Sequence, residues 1–134
     1  MVHERKHGQT WFLPAGRVEP VETFHEAAVR ETLEETGVAI ELDGIIRIEH
    51  TPLPGRARMR VVFLAHASND AAPKQSPDDE SVGAAWLTLD EIDALPLRSA
   101  EVAHLLRWIL SGAKVYPLDL LTQEGAPYLP PSGA

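Results

Sequence analysis

The apolar positions of this chain fall into short blocks separated by polar, proline-rich or glycine-rich breaks, and the spacing differs from block to block. Thr10-Trp11-Phe12-Leu13 reads as a strand that Pro14 ends. Ile40 to Thr51 and Met59 to Ala67, rich in Ile, Val and Phe, predict two longer strands with Pro52-Leu53-Pro54-Gly55 turning between them. The second is apolar over most of its length, which predicts a central strand covered on both faces. Residues 68–82 are a polar loop with prolines, and Ala84-Ala85-Trp86-Leu87 predicts another short strand. Phe24, Ala27, Ala28 and Leu33 supply an apolar side for a helix that docks on a sheet and stops at Gly37. Asp90-Glu91-Ile92 starts a short helical turn. Ser99 is placed as the N-cap of a longer helix with Val102, Leu105, Leu106, Ile109 and Leu110 on one face and Gly112 at its close. This order predicts an α+β domain over residues 1–118, with a mixed sheet between helices. Residues 119–134 form a tail whose end, from Gly125, has too much Pro and Gly for regular structure.

The polar side of the first helix is unusual. Gly16 to Val38 holds six glutamates. At 3.6 residues per turn, Glu31, Glu34 and Glu35 share a sector of roughly 100°. Like charges at i,i+3 and i,i+4 destabilise a helix, so a cation is expected between them. Mg2+, with Mn2+ as a substitute, prefers oxygen ligands, retains waters and commonly binds substrate phosphates. The competing reading is a solvated acidic face. Gly16 breaks the preceding strand and can take backbone angles that strain other residues. A helix beginning at residue 22 would put Glu22 about 13 Å from Glu31 along the axis and on the opposite side, making Glu22 the weaker ligand candidate. It suits the helix start for structural reasons. Arg30 points to a different side from Glu31 and is read as structural, pairing with Glu26 four residues earlier. His25 is read as an exposed partner for a glutamate.

The run Gly16, Glu22, Arg30-Glu31, Glu34-Glu35, Gly37 and Val38 has the spacing of the Nudix box, which this segment resembles at every required glycine, arginine and glutamate. Thr32 departs from the pattern, which asks for a bulky aliphatic residue. The resemblance implies an αβα sandwich, and metal ligation by Glu34, Glu35 and the carbonyl of Ala15. It makes Glu31 a ligand or the general base. Similarity extends from residue 8 to about 118. Thr10 to Pro20, Arg60 to Ala65, and Asp79-Glu80-Ser81 with Ala84-Ala85-Trp86 look like the subgroup that hydrolyses 8-oxo-guanine nucleoside diphosphates. Leu97-Arg98-Ser99 to Tyr116-Pro117-Leu118 is similar to bacterial Nudix phosphatases of nucleoside and thiamine-type pyrophosphates. Trp11, Phe12, Phe63 and Trp86 are candidates to contact a base, with core packing the competing reading. Arg17 is a further substrate-contact candidate.

Nudix domains usually begin with a further strand or two before the point where this chain starts, and Val2 to His7 looks like the end of one. The resulting edge would be covered by the tail or another subunit, so a homodimer is an expected partner. Many members carry an extra glutamate where this sequence has Gly83, so Glu80 on the nearby loop is nominated as a supplementary ligand or general base.

Composition narrows the picture further. Without cysteine, thiolate metal sites and disulfides are excluded. Hydrophobic residues make up 44% of the chain, and no apolar run approaches the ~18 residues of a membrane span. The opening has no signal-peptide pattern, so a cytoplasmic location is the default expectation. A formal net charge of -8 argues against long nucleic acid but is compatible with a small phosphorylated ligand. The function expected is Mg2+-dependent hydrolysis of a diphosphate linkage in a nucleotide or nucleotide derivative. The alternative is a nucleotide-binding module of the same fold with little turnover.

Overall fold

A computed structural model describes residues 1–130; the last four residues of the predicted tail lie outside this range. Three strands, β1 (Val2–His3), β2 (Trp11–Phe12) and β5 (Gly83–Ala84), form an antiparallel ladder in the order β2-β1-β5. The long strands β3 (Ile40–Leu53) and β4 (Arg56–Ala67) form a second antiparallel ladder joined by a tight turn at Pro54-Gly55. Helix α1 (Phe24–Thr36) packs against both β3 and β5 and so links the ladders. Helices α2 (Leu89–Asp93) and α3 (Glu101–Leu110) pack on each other. The α+β class is as expected, and the parallel pairing of the expected mixed sheet is confined to an isolated bridge between Trp11 and Leu97.

Local chemistry explains α1 well. The Thr23 hydroxyl accepts the amide of Glu26 at 3.1 Å, and Gly37 closes the helix at φ 74° with its amide on the Leu33 carbonyl. Its inward side is the one expected at Ala27 but not at Leu33. Ala27 and Thr36 are buried, whereas Leu33 is 49% exposed. Thr32 is half-buried, and its hydroxyl returns to the Ala28 carbonyl at 2.7 Å. A small side chain that satisfies its own polar atom replaces an aliphatic one there.

The strand β4 is not central. Among the described residues it pairs only with β3, and no residue along it is fully buried. The apolar run Val61–Ala65 is half-buried. The deeper strand is β3, where two irregularities in register, at Leu42/Gly44 and Ile45/Arg47, break strict alternation and allow adjacent Ile45 and Ile46 both to be buried. Ser99 accepts the Glu101 amide, although the boundary of α3 falls at Ala100. Val102 is the anchor of α3, while Leu110 is 71% exposed beyond the α2 contact.

Gly44 lies where the chain near Tyr116 crosses β3. Ile45 and Tyr116 exchange two backbone hydrogen bonds of 2.8 Å, and a Cβ on Gly44 would lie 2.3 Å from Val115 Cγ1 and 2.7 Å from the Tyr116 carbonyl oxygen. The valine can turn away; the carbonyl is fixed by the bridge. Gly44→Ala is expected to lower stability by about 1–3 kcal/mol, read from urea unfolding midpoints with an unchanged slope.

Candidate active site

The loop after β2 runs back along α1, so residues far apart in sequence meet in order. The amide of Ala15 donates to Glu35 Oε2 at 3.1 Å near the C-terminal end of the helix, and the carbonyl of Arg17 accepts from Arg30. The contact at Gly16 is the tightest. A Cβ built on it would lie 1.9 Å from Glu31 Cδ. Gly16 is absent from the glycines with positive φ, so its requirement is space for the Glu31 carboxylate rather than special backbone angles. Val21 is the strained residue in this loop, a β-branched side chain at φ 67°.

Arg30 organises the carboxylates. Its Nε and Nη2 grip the two Glu22 oxygens at 2.7 and 2.9 Å, and its Nη1 reaches Glu31 at 3.0 Å and Glu34 at 3.2 Å. The two-pronged grip on Glu22 holds that carboxyl down at about 2, chiefly through the Arg30 hydrogen bond. Glu26, expected to pair with Arg30, instead belongs to the Thr23 cap. Glu22 lies outside the helix, which frees it to fold back across Arg30. The expectation that Arg30 and Glu31 point apart also fails, because the long guanidinium reaches around the helix.

A third segment closes the far side. The Lys74 amide donates to the Thr36 carbonyl at 2.8 Å, its ammonium donates to the Glu34 carbonyl and to Asp78, and the wholly buried Ser81 hydroxyl donates to the Glu35 carbonyl at 2.7 Å. These bonds satisfy helix C-terminal carbonyls that have no partner within the helix. They also fasten the loop that carries Glu80, which is exposed. Gly83, where a glutamate is the family habit, is buried in β5, and a Cβ there would lie 3.3 Å from the Lys74 carbonyl.

The electrostatics record how the carboxylates converge. Burial pushes the Glu35 carboxyl up to about 7, opposed by the Ala15 amide and reinforced by the charges of Glu31, Glu4 and Glu80. Burial also raises Glu31 against the opposing influence of Arg30. Among the described residues no three carboxylate or imidazole groups are already closed around a cation position, and Arg30 engages Glu31 and Glu34. The donor set nonetheless fits a hard divalent cation, since it is all oxygen, carries excess negative charge and includes carboxylates whose ionisation is disfavoured without one.

The chain as a whole resembles known proteins. A NUDIX domain is matched over residues 1–109. The chain belongs to the Nudix family. Its Nudix relatives include Escherichia coli phosphatase NudJ, 32% identical over 130 residues that make up 96% of this chain and 84% of NudJ. A mouse protein named 8-oxo-dGDP phosphatase NUDT18 is 38% identical over 121 residues, 86% of this chain but 35% of the mouse protein, so this chain spans about a third of that relative. A Nudix hydrolase structure from Nitrosomonas europaea superposes with a TM-score of 0.68 at 33% identity, covering 84% of this chain and 78% of its own.

The aromatic candidates for base contact take different settings. The Trp11 ring stacks on His3 at 4.7 Å between centroids, and Phe63 packs against His25 at 5.2 Å. Trp86 is 68% exposed. His25 is no glutamate partner, since its Nε2 meets the Leu118 carbonyl at 3.0 Å. Phe12 lies under the Arg98 guanidinium at 4.7 Å. Sequence reasoning missed Lys74, Ser81 and Glu4, which sit in segments without periodicity; the closeness of Ser81 to β5, with only Val82 between them, is the one local sign that the loop is anchored nearby.

Gly16→Ala is expected to leave the melting temperature within a few degrees, because the atoms that must move, Cγ to the carboxylate, belong to the Glu31 side chain and not to backbone, while abolishing cation-dependent thermal stabilisation. The pH dependence has a definite sign. Glu35 binds a proton more tightly folded than unfolded, so metal-free stability falls as pH rises from about 4.5 to about 7. Glu22 and Asp78, both held at about 2, act oppositely and lose their contribution as pH falls below about 4. Melting in chelator should therefore drop from about pH 5 to about pH 8, and Glu35→Gln should remove most of that drop.

Proposed function

We propose that this chain is a divalent-cation-dependent hydrolase of a diphosphate linkage in a nucleoside di- or triphosphate or a related derivative, oxidised guanine nucleotides included. The observation that carries this reading is the joining of Glu31 and Glu35 on α1 to the Ala15–Gly16 turn, with Glu34 tied to the same cluster through Arg30, in a chain of the Nudix family. The names of the mouse relative and of NudJ support a phosphatase-type reaction on a small phosphorylated substrate.

Mg2+, with Mn2+ as substitute, would be held by Glu34, Glu35, Glu31 and the Ala15 carbonyl, and when bound supplies charge neutralisation for the phosphates and a more acidic water. Glu31 suits a proton acceptor. It is mostly buried, seated against Gly16, and oriented by Arg30, so its carboxylate is held in place while its basicity is raised by burial. Glu34 is the exposed member and can turn outward from Arg30. Glu80, carried on a fastened loop, adds negative charge from the opposite side and is the supplementary ligand or base. Arg17 presents its side chain from the same turn toward solvent, where a phosphate could meet it.

Hydrolysis products separated by chromatography after incubation with Mg2+ and 8-oxo-dGDP, dGDP, ADP-ribose, a dinucleoside polyphosphate or thiamine pyrophosphate should show turnover on a nucleoside diphosphate and none in chelator. Glu31→Gln, Glu34→Gln and Glu35→Gln should each cost about 100-fold or more. Turnover that survives both chelator and the Glu34 and Glu35 changes would refute the assignment.

A further inference from the structure

The end of β1 carries an acidic residue that the box does not include. Glu4 follows His3, whose carbonyl accepts the Val82 amide at 2.9 Å, and Val82 follows Ser81, whose hydroxyl holds the Glu35 carbonyl. On its other side the Glu4 amide donates to the carbonyl of Thr10 at 2.9 Å, just before the strand β2 that leads to Ala15. Glu4 is thus wedged between the two backbone segments that grip Glu35. Its Oε1 is the one buried side-chain polar atom among the described residues without a hydrogen-bond partner. Oε2 lies 3.6 Å from Arg98 and 3.9 Å from His7. Arg98 does not close on it; the guanidinium lies over Phe12, and the Arg98 amide is tied to the Trp11 carbonyl at 3.0 Å. A buried carboxylate oxygen is an acceptor only, and leaving it empty is costly. An ion pair with Arg98 accounts for one oxygen and leaves the other unexplained.

Resting on the reading that the box carboxylates hold a divalent cation, we propose that Glu4 is a positioning residue of that cation site, supplied by the end of β1 and acting from the sheet side alongside Glu35. A group that orients direct ligands typically changes metal affinity by 10–100-fold when removed.

The test is calorimetric titration of Mn2+ into chelator-stripped protein, for the wild type and for Glu4→Gln, Glu35→Gln and Arg98→Gln, with melting in chelator recorded alongside. Glu4→Gln should weaken Mn2+ binding by about 10–100-fold without a fall in melting temperature, while Arg98→Gln leaves Mn2+ affinity unchanged. Wild-type affinity in Glu4→Gln beside weakened Glu35→Gln overturns the Glu4 assignment alone. An equal loss in Arg98→Gln also overturns it, since Glu4 would then act only as the arginine's counter-ion. Unchanged affinity in Glu35→Gln instead sinks the cation reading of the box. Should Glu4→Gln fail to fold, Glu4→Asp, which keeps the charge but draws it back by one methylene, must weaken Mn2+ binding by several fold for the proposal to stand.

Discussion

One guanidinium holds together a set of carboxylates that would otherwise separate. Arg30 is bound to Glu22 from the loop and to Glu31 and Glu34 from the helix, and the same side chain donates to the carbonyl of Arg17. A single positive charge surrounded by several negative ones leaves the cluster short of neutral. That shortfall is tolerable only because the surrounding backbone fixes the groups in place. The cap at Thr23, the left-handed close at Gly37 and the seat at Gly16 define the helix and its loop to within a side chain's width.

Division of labour follows from exposure and partners. Glu22 is committed to Arg30 and serves structure. Glu31 is shared between Arg30 and the Gly16 seat. Glu35 stands apart, bound by one amide and crowded by other negative charges, and is the member whose ionisation the fold opposes most. The surroundings of Glu35 are therefore where added positive charge relieves the most repulsion, and the charges of Glu80 and Glu4 act there too.

Much of this was readable from residue types at fixed spacing, because helix geometry converts spacing into direction. The grouping of Glu31, Glu34 and Glu35, the cap role of Gly37 and the strand at Trp11 all rest on such local rules. What escaped were contacts set by tertiary folding. Arg30 was assigned to Glu26 because i,i+4 is the local partner, whereas a loop residue eight positions earlier takes it. Leu33 looked like core by hydropathy, yet the inward side is set by how α1 meets two ladders at once, and Thr32 and Thr36 lie there instead. The strand β4 looked central because its residues are apolar, but a strand's depth depends on its neighbours in space. Lys74 and Ser81 lie in a polar, proline-broken stretch where no pattern announces a bond to a distant helix.

The ladder β2-β1-β5 has a temporal consequence. Val2 pairs with Ala84, so during synthesis an earlier segment waits for one made some eighty residues later before its second neighbour exists. Helix α1 and the β3–β4 hairpin are closed by near neighbours and can form early, whereas Ser81 cannot reach Glu35, nor Val82 reach His3, until that long loop has closed. The acidic centre is thus completed only after helix α1 and the hairpin can already have formed. A nascent chain carries its carboxylates on a finished helix well before the walls that crowd them are in place.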